Sequence, residues 1–127
     1  MAVDLGPVAS FADGVLTRAD IDGREFGVLR WGEENYVFRD VCPHMNAPLS
    51  RGTCLPRVVE EGPGQLAVDP LAPVVVCPWH RWEFSLSTQG VSLRDDRFSV
   101  KMYRAWVEGD RLMADIPLRR RAKELAS

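Results

Sequence analysis

The stretch Phe26-Gly27-Val28-Leu29-Arg30-Trp31-Gly32-Glu33-Glu34-Asn35-Tyr36-Val37-Phe38-Arg39-Asp40-Val41 decides the fold class of this chain. Two short segments rich in aromatic and branched side chains, Phe26 to Trp31 and Tyr36 to Val41, flank the polar run Gly32-Glu33-Glu34-Asn35. That pattern predicts two strands joined by a tight connection. The second strand runs straight into Cys42.

The same grammar extends outward. Phe98 to Val107 and Arg111 to Ile116 flank Glu108-Gly109-Asp110, and Phe98, Val100 and Met102 alternate against Ser99, Lys101 and Tyr103. A second hairpin is expected there. Between the two lies a Pro- and Gly-rich middle, Leu55 to Pro73, whose Glu61-Gly62-Pro63-Gly64 predicts an extended loop or a loose hairpin. Helical periodicity is nearly absent and no segment repeats, so the expected class is all-β.

A chain of 127 residues, 46% hydrophobic and 27% charged, suits one globular domain spanning 1–127. A net charge of −2 lacks the basic face that nucleic acid demands, so no nucleic-acid partner is expected. Met1 to Phe11 carries no basic residue and no sustained apolar run, which argues against a leader or anchor. Nowhere are there the roughly 20 consecutive apolar residues of a spanning helix, so no membrane association is expected. Three cysteines are an odd count that fits a reducing compartment, and the expected location is the cytoplasm.

The chemistry stands at the ends of the middle segment, in Cys42-Pro43-His44 and Cys77-Pro78-Trp79-His80. The chain has two histidines, and each follows by two or three residues a cysteine that is itself followed by proline. Proline fixes its own φ and biases its predecessor toward extended geometry, so each thiol is presented on a stiffened loop. A buried Cys or His alone is ordinary core packing. A Cys42–Cys77 disulfide would leave both histidines without a role. A thiol and an imidazole close together, twice, point instead to a metal. Zinc accepts such donors, but its usual structural patterns pair cysteines with each other or space the ligands differently.

Cys-x-His followed by Cys-x-x-His resembles the signature of the Rieske iron–sulfur family. Leu49-Ser50-Arg51-Gly52 is similar to that family's Leu-Ser-x-Gly, and Trp79, Trp82 and Phe84 resemble its aromatic run after the second ligand pair. The resemblance covers most of the chain. It implies an antiparallel β-sandwich or barrel base and a smaller cluster-binding subdomain, roughly 42–86, that carries two ligand loops, with an inserted loop at 55–73. It also implies one [2Fe-2S] cluster per chain, with Cys42 and Cys77 on one iron and His44 and His80 on the other. Replacing two thiolates by neutral imidazoles raises the potential above that of all-cysteine clusters. Met45, Asn46, Ala47, Trp79 and Arg81 beside the histidines are the docking or supporting residues this likeness suggests, together with Trp82 and Phe84. Two features depart from the family pattern. The gap between His44 and Cys77 is longer than in most relatives, and Arg81 stands where glycine is common.

Relatives that oxidise substrates carry a further mononuclear-iron domain, for which this chain has neither the length nor a third histidine. The resemblance therefore implies an electron carrier rather than an enzyme: a ferredoxin passing single electrons from a flavin-dependent reductase to a terminal oxygenase. The alternatives are a small subunit of a larger oxidoreductase, such as a nitrite reductase, or a zinc-stabilised interaction module without redox activity. High-potential relatives carry an extra disulfide, whose positions match Ala47 and Trp79, and serine and tyrosine hydroxyls where this chain has Trp82 and Phe84. Without them the expected potential lies near the family's lower limit of about −150 mV. Cys54 reads as a small apolar residue near the core. Arg119-Arg120-Arg121 with Lys123, and the acidic pairs at 33–34, 60–61 and 95–96, read as solvated charge.

Overall fold

The computed structural model describes residues 2–43 and 46–117, so His44, Met45 and the basic tail from Leu118 onward lie outside the described residues. The strands are β1 (Ala2–Pro7), β2 (Leu16–Ile21), β3 (Arg24–Trp31), β4 (Glu34–Arg39), β5 (Thr53–Gly62), β6 (Gln65–Val76), β7 (Glu83–Ser85), β8 (Val91–Ser92), β9 (Met102–Tyr103), β10 (Ala105–Glu108) and β11 (Arg111–Asp115). They form three sheets with the orders β1-β11-β10, β2-β3-β4-β9 and β5-β6-β7-β8, and every named pair is antiparallel.

The middle sheet explains the apolar runs within Phe26 to Val41. Phe26 and Val28 on β3, with Val37 on β4, join Leu112, Ala114 and Ile116 in one core. Leu29 on β3 and Phe38 on β4 join Cys42, Leu49, Val75, Cys77 and Phe84 in a second. Successive side chains of a strand point to opposite faces, so a strand buried on both faces reads as a continuous hydrophobic run rather than an alternation. Gly27 pairs with Phe38, and a Cβ at Gly27 would collide with the Phe38 ring. The glycine thus leaves the space that the aromatic ring fills.

The first hairpin turns more tightly than expected. Trp31 pairs with Glu34 and Arg30 with Asn35, leaving a two-residue turn, Gly32-Glu33, in which Gly32 has φ +62°. Hairpin turns of this length need positive φ, which glycine supplies at no steric cost. The expected strand from Phe98 to Val107 is broken in two. Tyr103 and Met102 pair with Val37 and Phe38, whereas Ala105 to Glu108 pair with β11. The chain changes sheets at Arg104, whose carbonyl accepts the Asp115 N–H at 2.8 Å. Alternation shows strand character on both sides of such a corner but does not mark the corner itself.

The Pro- and Gly-rich middle takes the hairpin alternative. β5 and β6 pair from Thr53–Val76 out to Gly62–Gln65, with a register shift opposite Pro70, Leu71 and Ala72. β7 covers β6 only at Val74, Val75 and Val76. Beyond that point, among the described residues, the ribbon has two strands and no third neighbour, and prolines at 70 and 73 lack the N–H that another strand would need.

Candidate metal centre

Both candidate ligand loops close in the same way. The Cys42 N–H donates to the Ala47 carbonyl at 2.9 Å, and the Cys77 N–H donates to the Trp82 carbonyl at 2.7 Å. Each bond bridges a cysteine to the fifth residue after it, so each loop is a compact turn with the thiol at its base. Such turns need left-handed residues. Asn46 (φ 61°) supplies one in the first loop, and His80 (φ 62°) and Arg81 (φ 57°) supply two in the second. Asparagine tolerates this region; histidine and arginine occupy it at a cost of order 1 kcal/mol each, which marks the His80 loop as strained where glycine would not be.

The loops are held together from below. Cys42 and Cys77 are 0% and 1% exposed and belong to one core with Leu49, Val75 and Phe84. Asp40, buried, accepts the Ser50 N–H and the Ser50 hydroxyl, each at 2.6 Å, and so ties the strand entering the first loop to the turn leaving it. Gly52 then passes the Val76 carbonyl so closely that a Cβ would collide with it. The φ of Gly52 is −82°, so it is close approach that requires glycine, not backbone conformation. Leu-Ser-x-Gly is thereby accounted for residue by residue: Leu49 fills the core, Ser50 holds Asp40, and Gly52 lets the first loop abut the strand that delivers Cys77.

The two thiols are within interaction distance. Burial pushes Cys77 up to about 11, the Trp79 N–H bonded to its sulfur works against this, and the neighbouring Cys42 raises it further. Both cysteines are free thiols. A buried pair of thiols, one already accepting a backbone N–H, fits the thiolate end of a cluster, since a bound cation would offset the burial that keeps Cys77 protonated. Among the described residues, no three His, Cys, Asp or Glu side chains gather about one point as a single metal ion would require.

His80, Trp79 and Arg81 are exposed around the second loop, and Asn46 is exposed in the first. Ala47 and Phe84 were both expected among the docking or supporting residues; both are fully buried, so neither presents a surface for a partner to meet. Trp82 is half-buried, edge-on to Phe98 with centroids 5.3 Å apart, and the Arg94 guanidinium lies over its ring at 5.2 Å. Cys54 packs against the same core and donates its thiol to the Gly14 carbonyl at 3.0 Å. The sequence reading missed Asp40 and Arg94. Asp40 had a signal, for it shares the inward parity of Phe38 and Cys42, where a carboxylate must have a buried partner. Arg94 had none.

An all-β frame presenting two stiff cysteine loops from a common core defines a metal-carrying domain of the iron–sulfur type. The chain belongs to the Rieske [2Fe-2S] domain family, whose model matches residues 1–103. Membership implies one [2Fe-2S] cluster and a role in electron transfer. No curated protein sequence matches the chain. Solved structures of similar fold include the ferredoxin of carbazole 1,9a-dioxygenase from Nocardioides aromaticivorans IC177, at 23% identity and a TM-score of 0.68, covering 90% of this chain and 96% of that one. A Mycobacterium tuberculosis protein described as an NADH-dependent nitrite reductase small subunit matches at 21% identity and a TM-score of 0.73, covering 93% and 97%. A ferredoxin captured with the oxygenase of carbazole 1,9a-dioxygenase matches at 20% identity and 0.68, covering 89% and 91%. At these identities the likeness is one of fold, and it agrees with the all-β Rieske architecture expected from the sequence. Among the described residues, no helix is long and apolar enough to cross a membrane.

Proposed function

We propose that Cys42 and Cys77 hold one iron and His44 and His80 the other, and that the chain is a Rieske-type ferredoxin carrying single electrons from a flavin-dependent reductase to a terminal oxygenase. When bound, the cluster supplies a one-electron couple whose potential the imidazoles raise. The protein's residues do the rest. The Asp40–Ser50 bonds and the Gly52–Val76 approach keep the cysteine pair from rearranging between redox states. The core around Leu49, Val75 and Phe84 excludes water from it. His80, Trp79, Arg81 and Asn46 form the exposed rim through which a partner is met. The observation that carries this reading is the pair of like-closed loops, with thiols buried in a common core and His80 at the surface. The protein itself transforms no substrate.

Anaerobic purification tests it. The expected product is brown, bleaches partly with dithionite and contains about two irons and two labile sulfides per chain. His44→Ala and His80→Ala are expected to abolish the native spectrum, and Cys54→Ala to preserve it. A colourless protein holding zinc would overturn the reading in favour of an interaction module.

One observation favours the second reading, a small subunit bound to a larger oxidoreductase. Val58, Leu66 and Val68, on one face of the β5–β6 ribbon, are 58%, 72% and 57% exposed, and Leu55 and Leu71 near its base are exposed as well. Apolar side chains concentrated on one projecting element suit a permanent neighbour. Sedimentation separates the two: a monodisperse monomer at high concentration supports the shuttle, and self-association abolished by Leu66→Lys supports the subunit.

A further inference from the structure

A hollow of about 210 Å3 opens beside the strand that leads to the first ligand loop, lined by Arg24, Glu25, Phe26, Arg39, Val41 and Tyr103. Its charge is unbalanced. The Glu25 carboxylate is paired with Arg18, so it does not neutralise the two guanidiniums that line the hollow. Arg24 is held in place: its Nη2 donates to the Pro117 carbonyl at 2.6 Å, and its guanidinium lies over the Phe26 ring at 5.3 Å.

Tyr103 stands edge-on to Phe26 with centroids 5.4 Å apart, which brings a phenol to the same wall. The exposed side chain of Arg39 completes the set. Two guanidiniums and a phenol around one small cavity form a donor array matched to an oxyanion. Guanidinium N–H groups recognise carboxylate and phosphate oxygens through charge-assisted hydrogen bonds. We propose that this hollow is a binding site for a small oxyanion, a phosphate or carboxylate group, separate from the iron–sulfur centre. Bound there, the anion ties together β3, β4 and β9, the strands that supply Arg24, Arg39 and Tyr103, at the point where β4 gives way to Val41 and Cys42.

Calorimetric titration of the cluster-containing protein with inorganic phosphate, in a phosphate-free buffer against sodium chloride at equal ionic strength, tests the site. A saturable one-to-one heat is expected, weakened at least tenfold in Arg39→Ala, whose exposed side chain can be removed without disturbing either core. A parallel titration with acetate tells a phosphate group from a carboxylate by which binds more tightly. Arg24→Lys keeps a cation but removes the planar guanidinium and is expected to weaken binding while leaving the cluster absorption unchanged. Phosphate also stabilises proteins without binding, by exclusion from their surface, an effect that neither saturates nor depends on Arg39. A rise in melting temperature that is linear in phosphate and equal in wild type and Arg39→Ala, with no saturable heat, would overturn the proposal.

Discussion

At residue 52 an ordinary φ of −82° coexists with space for no side chain, because the Val76 carbonyl occupies the place of a Cβ. Gly52→Ala is therefore expected to cost about 1–3 kcal/mol by forcing the two loops apart. Thermal melting would register the loss of stability and an iron assay the loss of cluster; unchanged values in both would refute the role given to this contact. Cys77 allows a second prediction, on the metal-free protein. Its folded pKa of about 11 lies above the ordinary 9.0, so the unfolded chain loses this proton first as pH rises. The stability that Cys77 contributes is present below pH about 9 and lost as pH rises toward 11. Melting of metal-free wild type and Cys77→Ser across that window checks the sign, since the serine variant should not show the same decline. Phe84, buried in the core that contains both cysteines, sets a third. Phe84→Tyr should raise the potential by tens of millivolts from a starting value near −150 mV, given that ~59 mV is a tenfold change for one electron. Voltammetry giving a wild-type potential above zero, or no shift in the variant, would refute this account.

Elements act here through what they fasten. Asp40 ends β4's inward parity, and Ser50 opens the turn after the first loop; their two hydrogen bonds staple the loop at its neck. Ser50→Ala removes the hydroxyl bond to a buried carboxylate, at an expected cost of about 1–3 kcal/mol. Ser50→Thr should restore much of it, a comparison that separates lost hydrogen bonding from lost volume. Much of this scale was legible in the sequence. The hairpin into Cys42, the cysteine–histidine pairs and Leu-Ser-x-Gly all carry local signatures, because turns and ligand loops are built from residues close in the chain. The break at Arg104 was not legible. A strand's choice of sheet depends on distant partners, here Val37 and Phe38 for Tyr103 and Met102, and alternation is the same on either side of the switch.

Across the whole molecule the ribbon stands apart. Among the described residues its outer half, from Arg57 to Asp69, pairs only with itself, while the two cores lie on either side of the middle sheet. A two-stranded hairpin without a third strand is marginal in water. Its amides are expected to exchange with solvent far faster than those of β3 and β4, as hydrogen exchange would show. Replacing residues 57–69 by a two-residue turn should leave the cluster spectrum intact, because loop closure depends only weakly on length. Loss of the cluster in that variant would mean that the ribbon supports the site.

The sequence by itself determined the all-β class and the candidate ligands, since strand patterning and ligand spacing are short-range properties written in adjacent residues. The tertiary structure alone decided that β3 and β4 are buried on both faces, that Ala47 and Phe84 lie inside rather than at the rim, and that Arg24, Arg39 and Tyr103 meet around one hollow. Each of these depends on which distant segments pack together, and packing is a property of surfaces in contact that no local pattern contains.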